Sequence, residues 1–588
     1  MVPILRASSL FLFFSSAWSF TPCPLLGPSF PPFTLDPSDK VVGSALKNLT
    51  ARFDNLTKSS TGSHGDISPK TTFSIALFSS DDGSAEDKPF FWDYHHTAPA
   101  LKEKSSSSNK VVRNTTDDSI YRIGGLTHVF TLWSLLNQTA DQHIFDDPVS
   151  KHLPELVNKD SAKDDVIGHV QWEDITVGQL ASHMAGVARD YCSSDLTSQK
   201  NAPKAGLPPR QAYSLPCCGE NSKCSTSDFL KHISGRMPVV APGASPSYSN
   251  LAFQLLGYIV EKQAKKPFNE VLEADIFKAL KLHETSVFAP KDSSKGIIPV
   301  SKEASGWSTR FGGDEASISM FSSVKDMAIA GKAILNSELL SQTQTNRWLK
   351  PATFTSNPAN TVGYPWVIYT DSRAYPQGPI INTYTVLSNE GDHESLYSSY
   401  LGLVPDYGVG FIILSADTKK PADLNAHADI IGDELLEALI KSSLLQATEN
   451  FRGGYAASNK HLNSSISVKS DKLPGLFVED IISNGTNFRD TLAQLTGVKK
   501  SKDLSIRLYP TQLVEKTTKG SKQAFRAVLQ DKTESADGGT PTCVSWLDLD
   551  KFQYAGRGLD EFIFTLDKTG HAVSVEIPAL QVILDKKK

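Results

Sequence analysis

Apolar and polar positions alternate over Thr72-Phe73-Ser74-Ile75-Ala76-Leu77-Phe78, the two-residue period of a strand. A turn at Asp81-Asp82-Gly83 leads to a second strand over Phe90-Phe91-Trp92-Asp93-Tyr94-His95-His96. His95 and His96 are adjacent on it and point to opposite faces, so the pair reads as structural rather than metal-binding. The polar stretch from Lys102 to Ser119 reads as a loop. From Tyr121 to Leu136 the pattern becomes a strand end turning into a buried helix. Ile175 to Gly186 reads as a helix with Thr176 at its N-cap, and Ser322 to Leu335 as one whose apolar positions are spaced for core burial. Two strands between Leu396 and Ser415 and a long amphipathic segment from Ala422 to Leu445 complete a sheet with a terminal helix. From about Asn450 the character changes. Leu504–Tyr509, Phe562–Leu566 and Ala572–Ile577, the last two joined by Asp567-Lys568-Thr569-Gly570, alternate as strands and hairpins. A separate antiparallel β domain is expected there, and its acidic residues form no motif that carries chemistry.

Composition narrows the class of protein. The 588 residues are 39% hydrophobic and 21% charged, with a formal net charge of -5 and no polybasic run, which speaks against a nucleic-acid partner. Met1 to Ser19 has one basic residue, Arg6, an apolar run from Leu10 to Trp18, and small residues Ala17 and Ser19 at the positions a signal peptidase reads. This predicts a secreted protein. That run is too short for a membrane span, and no later segment approaches ~20 consecutive apolar residues, so no membrane partner is expected. The predicted organisation is a signal peptide over 1–19, a polar leader over 20–71, a main domain over 72–447 and the β domain over 448–588. Secretion gives meaning to six N-x-S/T sites, Asn48, Asn55, Asn114, Asn137, Asn463 and Asn484, as glycosylation acceptors. Cys23, Cys192, Cys217, Cys218, Cys224 and Cys543 are an even number in an oxidising compartment and read first as disulfides. The adjacent pair Cys217-Cys218 does not give a two-plus-two zinc spacing, and neither metal nor cofactor is expected.

Four further stretches carry a resemblance. They are Gly125-Leu126-Thr127-His128 at the helix entry, Asp146-Asp147-Pro148-Val149, Tyr248-Ser249-Asn250 ahead of an apolar run, and Asn389-Glu390-Gly391 ahead of the late strands. With the helices at 175–186 and 322–335, they make the chain similar to the β-lactamase and penicillin-binding-protein family of serine hydrolases. The similarity is greatest to its class C enzymes and secreted fungal β-lactamase-like proteins. It implies an α/β (α+β) fold, an antiparallel sheet flanked by helices, with the C-terminal β domain as an extension. In the family the first motif is S-x-x-K, where the amine takes the proton of the attacking serine. Here the serine position is Gly125 and the lysine position is His128. Tyr248 and Asn250 match the family's Y-x-N, which serves as proton relay and carbonyl orienter. The family's third motif, K-[ST]-G, aligns with Asn389-Glu390-Gly391, which keeps only the glycine. His183 matches a packing residue, and the cysteine-rich stretch from Arg189 to Thr226 is expected to lie over the site.

The resemblance therefore implies a site of Gly125, His128, Tyr248, Asn250, Asn389, Gly391 and Asp392, with backbone N–H groups of Gly125 and Asp392 as the surviving oxyanion donors. Two functions remain. One is a degenerate enzyme or binding protein that recognises a small carbonyl metabolite without turnover. The other is an acid–base hydrolase or tailoring enzyme, acting on a small ester, lactone or amide through His128 and Tyr248 without a covalent intermediate. The expected partner is a small molecule in both cases, and the oligomeric state is open.

Overall fold

A computed structural model describes residues 20–31, 34–81, 87–106, 114–139, 142–157, 165–191, 206–208, 225–310, 315–371, 381–389, 395–459, 461–533 and 543–587. The expected signal peptide and Cys192, Cys217, Cys218 and Cys224 lie outside these residues. The chain divides into two compact units, one of Thr34–Asp371 with Ile381–Lys441, the other built chiefly of Ser442–Lys588 with residues before Phe33.

The first unit is an antiparallel eight-stranded sheet with helices packed on it. Its strands are β1 (Thr72–Ser79), β2 (Trp92–His96), β3 (Thr353–Phe354), β4 (Asn360–Val362), β5 (Val367–Asp371), β6 (Ile381–Asn389), β7 (Tyr397–Val404) and β8 (Val409–Ala416), in the order β2-β1-β8-β7-β6-β5-β4-β3. Every residue of β1, β7 and β8 is buried. The polar members of the alternation in β1, Thr72 and Ser74, are thus buried with the apolar ones, because both faces of the sheet are covered there.

Lys40–Ser59, within the segment read as a polar leader, is a helix, α1. Asp39 caps it by accepting from the amides of Val41 and Val42, and Val42, Ala45, Leu46, Leu49, Phe53 and Leu56 form one buried stripe. Pro99–Ser106 is likewise helical, at the start of the stretch read as a loop. The central helix, α2 (Thr127–Gln138), is buried from Thr127 to Leu136 and is entered through a 3-10 turn, Gly124–Leu126, in which Gly124 takes φ 47°. The helix expected over 175–186 is shorter, Val177–Ala181. Thr176 and Gln179 cap it reciprocally, and it ends where His183 adopts φ 59°. Helices α3 (Asn250–Ala264) and α4 (Val324–Leu335) follow, and the segment expected to be amphipathic runs as α5, Asn425–Phe451. His427 on α5 is fully buried beside Phe53 and Phe73, and neither ring nitrogen has a hydrogen-bond partner among the described residues.

The second unit is a closed antiparallel barrel. Ser465–Lys469 pairs with Gly453–Ala456 on one side and with Leu476–Ser483 on the other, which brings the two ends of the strand order together. The strand expected at Leu504–Tyr509 continues to Thr517 and forms a long hairpin with Gly520–Asp531. Phe451, Phe525 and Phe564 meet edge-on in its core, with Phe525 and Phe564 centred 5.1 Å apart. Cys23 is disulfide-bonded to Cys543, their Cα atoms 5.3 Å apart. Asn48, Asn55, Asn114, Asn463 and Asn484 are exposed, whereas Asn137, in the last turn of α2, is half-buried.

Candidate active site

Gly125 sits in the turn that delivers the chain into α2, between the strand pair Tyr121–Arg122/Phe321–Ser322 and the sheet. Its N–H donates to the hydroxyl of Ser388 at 2.7 Å. Ser388 is the penultimate residue of β6, and it is buried. A Cβ placed on Gly125 would lie 3.0 Å from the Tyr248 hydroxyl and 3.4 Å from both Cβ and Oγ of Ser388. Gly125, Tyr248 and Ser388 thus surround one point. Sequence reasoning placed the first two there and missed the third, since a serine on a strand that mixes polar and apolar residues carries no signal of its own.

His128, the second residue of α2, is 1% exposed. Its ring stacks on Phe253 at 3.8 Å and 13°, and its Nε2 lies 3.1 Å from Oδ1 of Asn250. Burial holds the imidazole well below its usual pKa, with smaller contributions from His183 and Arg189, so it is neutral. Its tautomer follows from its neighbours. Asn250 is the first residue of α3, and its Nδ2 donates to a carboxylate oxygen of Asp190 at 2.7 Å, which fixes the amide with Oδ1 toward His128. An amide oxygen only accepts, so Nε2 carries the proton. The lone pair is left on Nδ1, which is buried without a hydrogen-bond partner among the described residues. The Tyr248 hydroxyl donates to the same Oδ1 at 3.0 Å. Both of these protons therefore point at one amide oxygen, and the amide in turn donates to Asp190.

Two neighbours complete the arrangement. Nδ1 of His183 accepts from the amide of Ser249 at 3.2 Å, its ring stacks on Tyr248 at 4.8 Å, and burial lowers its pKa to about 4. The Arg189 guanidinium lies 4.8 Å from the centre of the Tyr248 ring, and its Nε is 3.2 Å from the Asp190 carboxylate. Ser249 caps α3 by accepting from the amide of Ala252, and the amide of Asn250 donates to the carbonyl of Arg189. The segment 183–190 and the Tyr248–Asn250 turn are thereby locked together. Arg189 and Asp190 were not singled out in the sequence, because nothing local marks them as partners of residues 60 positions away.

The structure places Gly125, His128, Tyr248 and Asn250 together. The backbone of Asn389 ends β6 opposite Ser398, while its side chain, Gly391 and Asp392 lie outside the described residues. Among the described residues, no group of three His, Cys, Asp or Glu side chains with metal-binding geometry occurs at this site.

Comparison with known proteins adds the following. Residues 103–435 match the family described as "Beta-lactamase", and residues 444–588 match "Beta-lactamase-like-like, C-terminal domain". The chain is similar to the "Beta-lactamase-like protein" of Arthroderma benhamiae, 27% identical over 92% of this chain and 92% of that one. It is also similar to the "Probable hydrolase M10" of a Phoma species, 24% identical over 84% of this chain and 82% of that one. Among solved structures it is similar to the octameric penicillin-binding protein homologue from Pyrococcus abyssi, with a TM-score of 0.44, 16% identity, and coverage of 93% of this chain and 100% of that chain.

Proposed function

Since the chain belongs to the beta-lactamase family, we propose that it is a degenerate, ligand-binding member that recognises a small carbonyl metabolite and does not perform serine acyl transfer. The observation that carries this reading is the Gly125–Ser388 hydrogen bond of 2.7 Å. Acyl transfer needs a nucleophile, a base to take its proton, and N–H donors left open for the oxyanion. Position 125 has no side chain, and its N–H is engaged by a hydroxyl from the opposite wall. A carbonyl oxygen reaches that N–H by displacing Ser388.

The base is also missing from the position the family uses. His128 is neutral but gives its Nε2 proton to Asn250, and Tyr248 gives its proton to the same oxygen. Two donors converge on one amide oxygen, and the lone pair left to His128, on Nδ1, is buried away from solvent. This arrangement favours binding over the acid–base hydrolase reading, in which His128 and Tyr248 would activate water. Secretion is part of the proposal, and the Cys23–Cys543 disulfide supports it.

A fluorophosphonate probe and nitrocefin test the reading together. The purified protein should remain unlabelled within 72–447 and should not turn over nitrocefin above background. Covalent labelling of any serine in that range, Ser388 included, would overturn it.

A further inference from the structure

We propose that Asp93, His95 and Asp117 form a binding site for a divalent cation of the zinc class, separate from the Gly125 site. Asp93 and His95 are two residues apart on β2 and so project from the same face of the strand. Asp117 arrives from the segment before Tyr121. Nε2 of His95 lies 3.0 Å from Oδ1 of Asp117 and 3.4 Å from Oδ2 of Asp93, and one donor atom from each residue falls within 4.8 Å of the others. Ligands held about 2.1 Å from a common ion are spaced about 3.0 Å apart at right angles and about 3.4 Å apart in a tetrahedron. The two measured separations match those spacings, and the third pair of donor atoms lies within 4.8 Å.

The outer contacts also fit. Nδ1 of His95 lies 2.9 Å from the hydroxyl of Ser74, which is buried on β1, paired in register with His95, and 2.9 Å from the buried hydroxyl of Tyr121. Donation from Nδ1 to Ser74 leaves the Nε2 lone pair facing the two carboxylates, the tautomer a metal-ligating histidine requires. The other oxygen of Asp93, Oδ1, is held by Lys88 at 2.9 Å, which fixes this carboxylate with Oδ2 toward His95. Side-chain exposures of 16% for His95, 25% for Asp93 and 36% for Asp117 leave the cluster open to solvent, so water can complete the coordination. One imidazole with two carboxylates suits zinc or manganese better than magnesium, which prefers oxygen alone.

The test uses the full chain, stripped with a chelator and titrated at equilibrium with Zn²⁺, Mn²⁺ and Mg²⁺. One equivalent of Zn²⁺ should bind saturably and raise the melting temperature, with Mg²⁺ markedly weaker. That equivalent should be lost in His95→Gln and in Asp117→Asn, and retained in His96→Gln, whose side chain leaves the opposite face of the strand. Asp117→Asn alters a partly exposed loop residue and serves should His95→Gln fail to fold. Absence of saturable Zn²⁺ binding, or an unchanged stoichiometry in Asp117→Asn, would overturn the proposal and leave the cluster an ion pair between a protonated His95 and two aspartates.

Discussion

The Gly125 amide and the Ser388 hydroxyl, 263 residues apart in the chain, are joined by a hydrogen bond of 2.7 Å. Restoring a serine at 125 would therefore put it against an occupied wall. The added Cβ, 3.0 Å from the Tyr248 hydroxyl, requires Tyr248 to yield by a few tenths of an ångström, which its side chain can do. Gly125→Ser should fold.

Folding is not activity. Gly125→Ser with His128→Lys should acylate slowly, because position 389, where the resemblance aligns the family's second lysine, holds asparagine. Adding Asn389→Lys should raise the burst rate on a chromogenic ester by about 10²-fold or more. Equal rates for the double and triple variants would remove position 389 from the account.

Asn250 is the hub that His128, Tyr248 and Asp190 share. Asn250→Ala leaves buried polar groups on three residues without this partner and should cost roughly 2–4 kcal/mol in urea unfolding. Tyr248→Phe removes the hydroxyl that donates to Asn250 and leaves the other contacts of this hub in place, so it should cost about 1 kcal/mol. If Asn250→Ala were no worse than Tyr248→Phe, the three contacts would not form one network.

His427 gives a pH dependence whose sign can be worked out. Burial lowers its pKa from 6.5 to about 4. Above pH 6.5 it is neutral in both the folded and unfolded chain and contributes nothing to the pH dependence. As the pH falls from 6.5 toward 4, the unfolded chain takes up a proton that the folded one refuses, so stability is lost at up to about 1.4 kcal/mol per pH unit. His427→Phe, in a cage already made of Phe53 and Phe73, sacrifices no hydrogen bond seen among the described residues. The variant should gain on the parent steadily below pH 6.5, reaching about 3 kcal/mol near pH 4 by denaturant titration. A difference that does not change with pH would mean the imidazole protonates in place.

Gly257 on α3 lies against Ala316 of the short helix Glu315–Ile318, whose Cβ is 2.3 Å from where a Cβ on Gly257 would be. Alanine has no flexible end to move aside. Gly257→Ala gains about 1 kcal/mol of helix propensity but loses about 1–3 kcal/mol to overpacking, so the variant should melt lower than the parent. A rise in melting temperature would show that the two helices part without penalty.

The parts of this fold legible in the sequence are those with a local cause. The capped turn at Thr176, the buried run from Thr127 to Leu136 and the hairpin around Gly570 each follow from residues within one turn of each other. Helix α1 also had such a signal, Asp39 ahead of apolar residues spaced three and four apart, but its many exposed polar positions make the stretch read as a leader. Ser388, Arg189 and Asp190 are different. Their roles arise from contacts with residues 59 or more positions away, and nothing in a serine on a strand or an Arg-Asp pair announces the partner. Gly125, His128 and Asn389 stand out because the resemblance names other residues at those positions. The contacts that Gly125 and His128 make could be found only by folding the chain.

The Cys23–Cys543 bond links residues 520 positions apart. It cannot close until residue 543 has been synthesised, so it is among the last covalent events in making the molecule. Once closed, it turns nearly the whole polypeptide into a ring. A protease that cuts once anywhere between these cysteines would produce no smaller band on a gel until a reductant is added. Intactness of this protein is therefore a property to be read under reducing conditions.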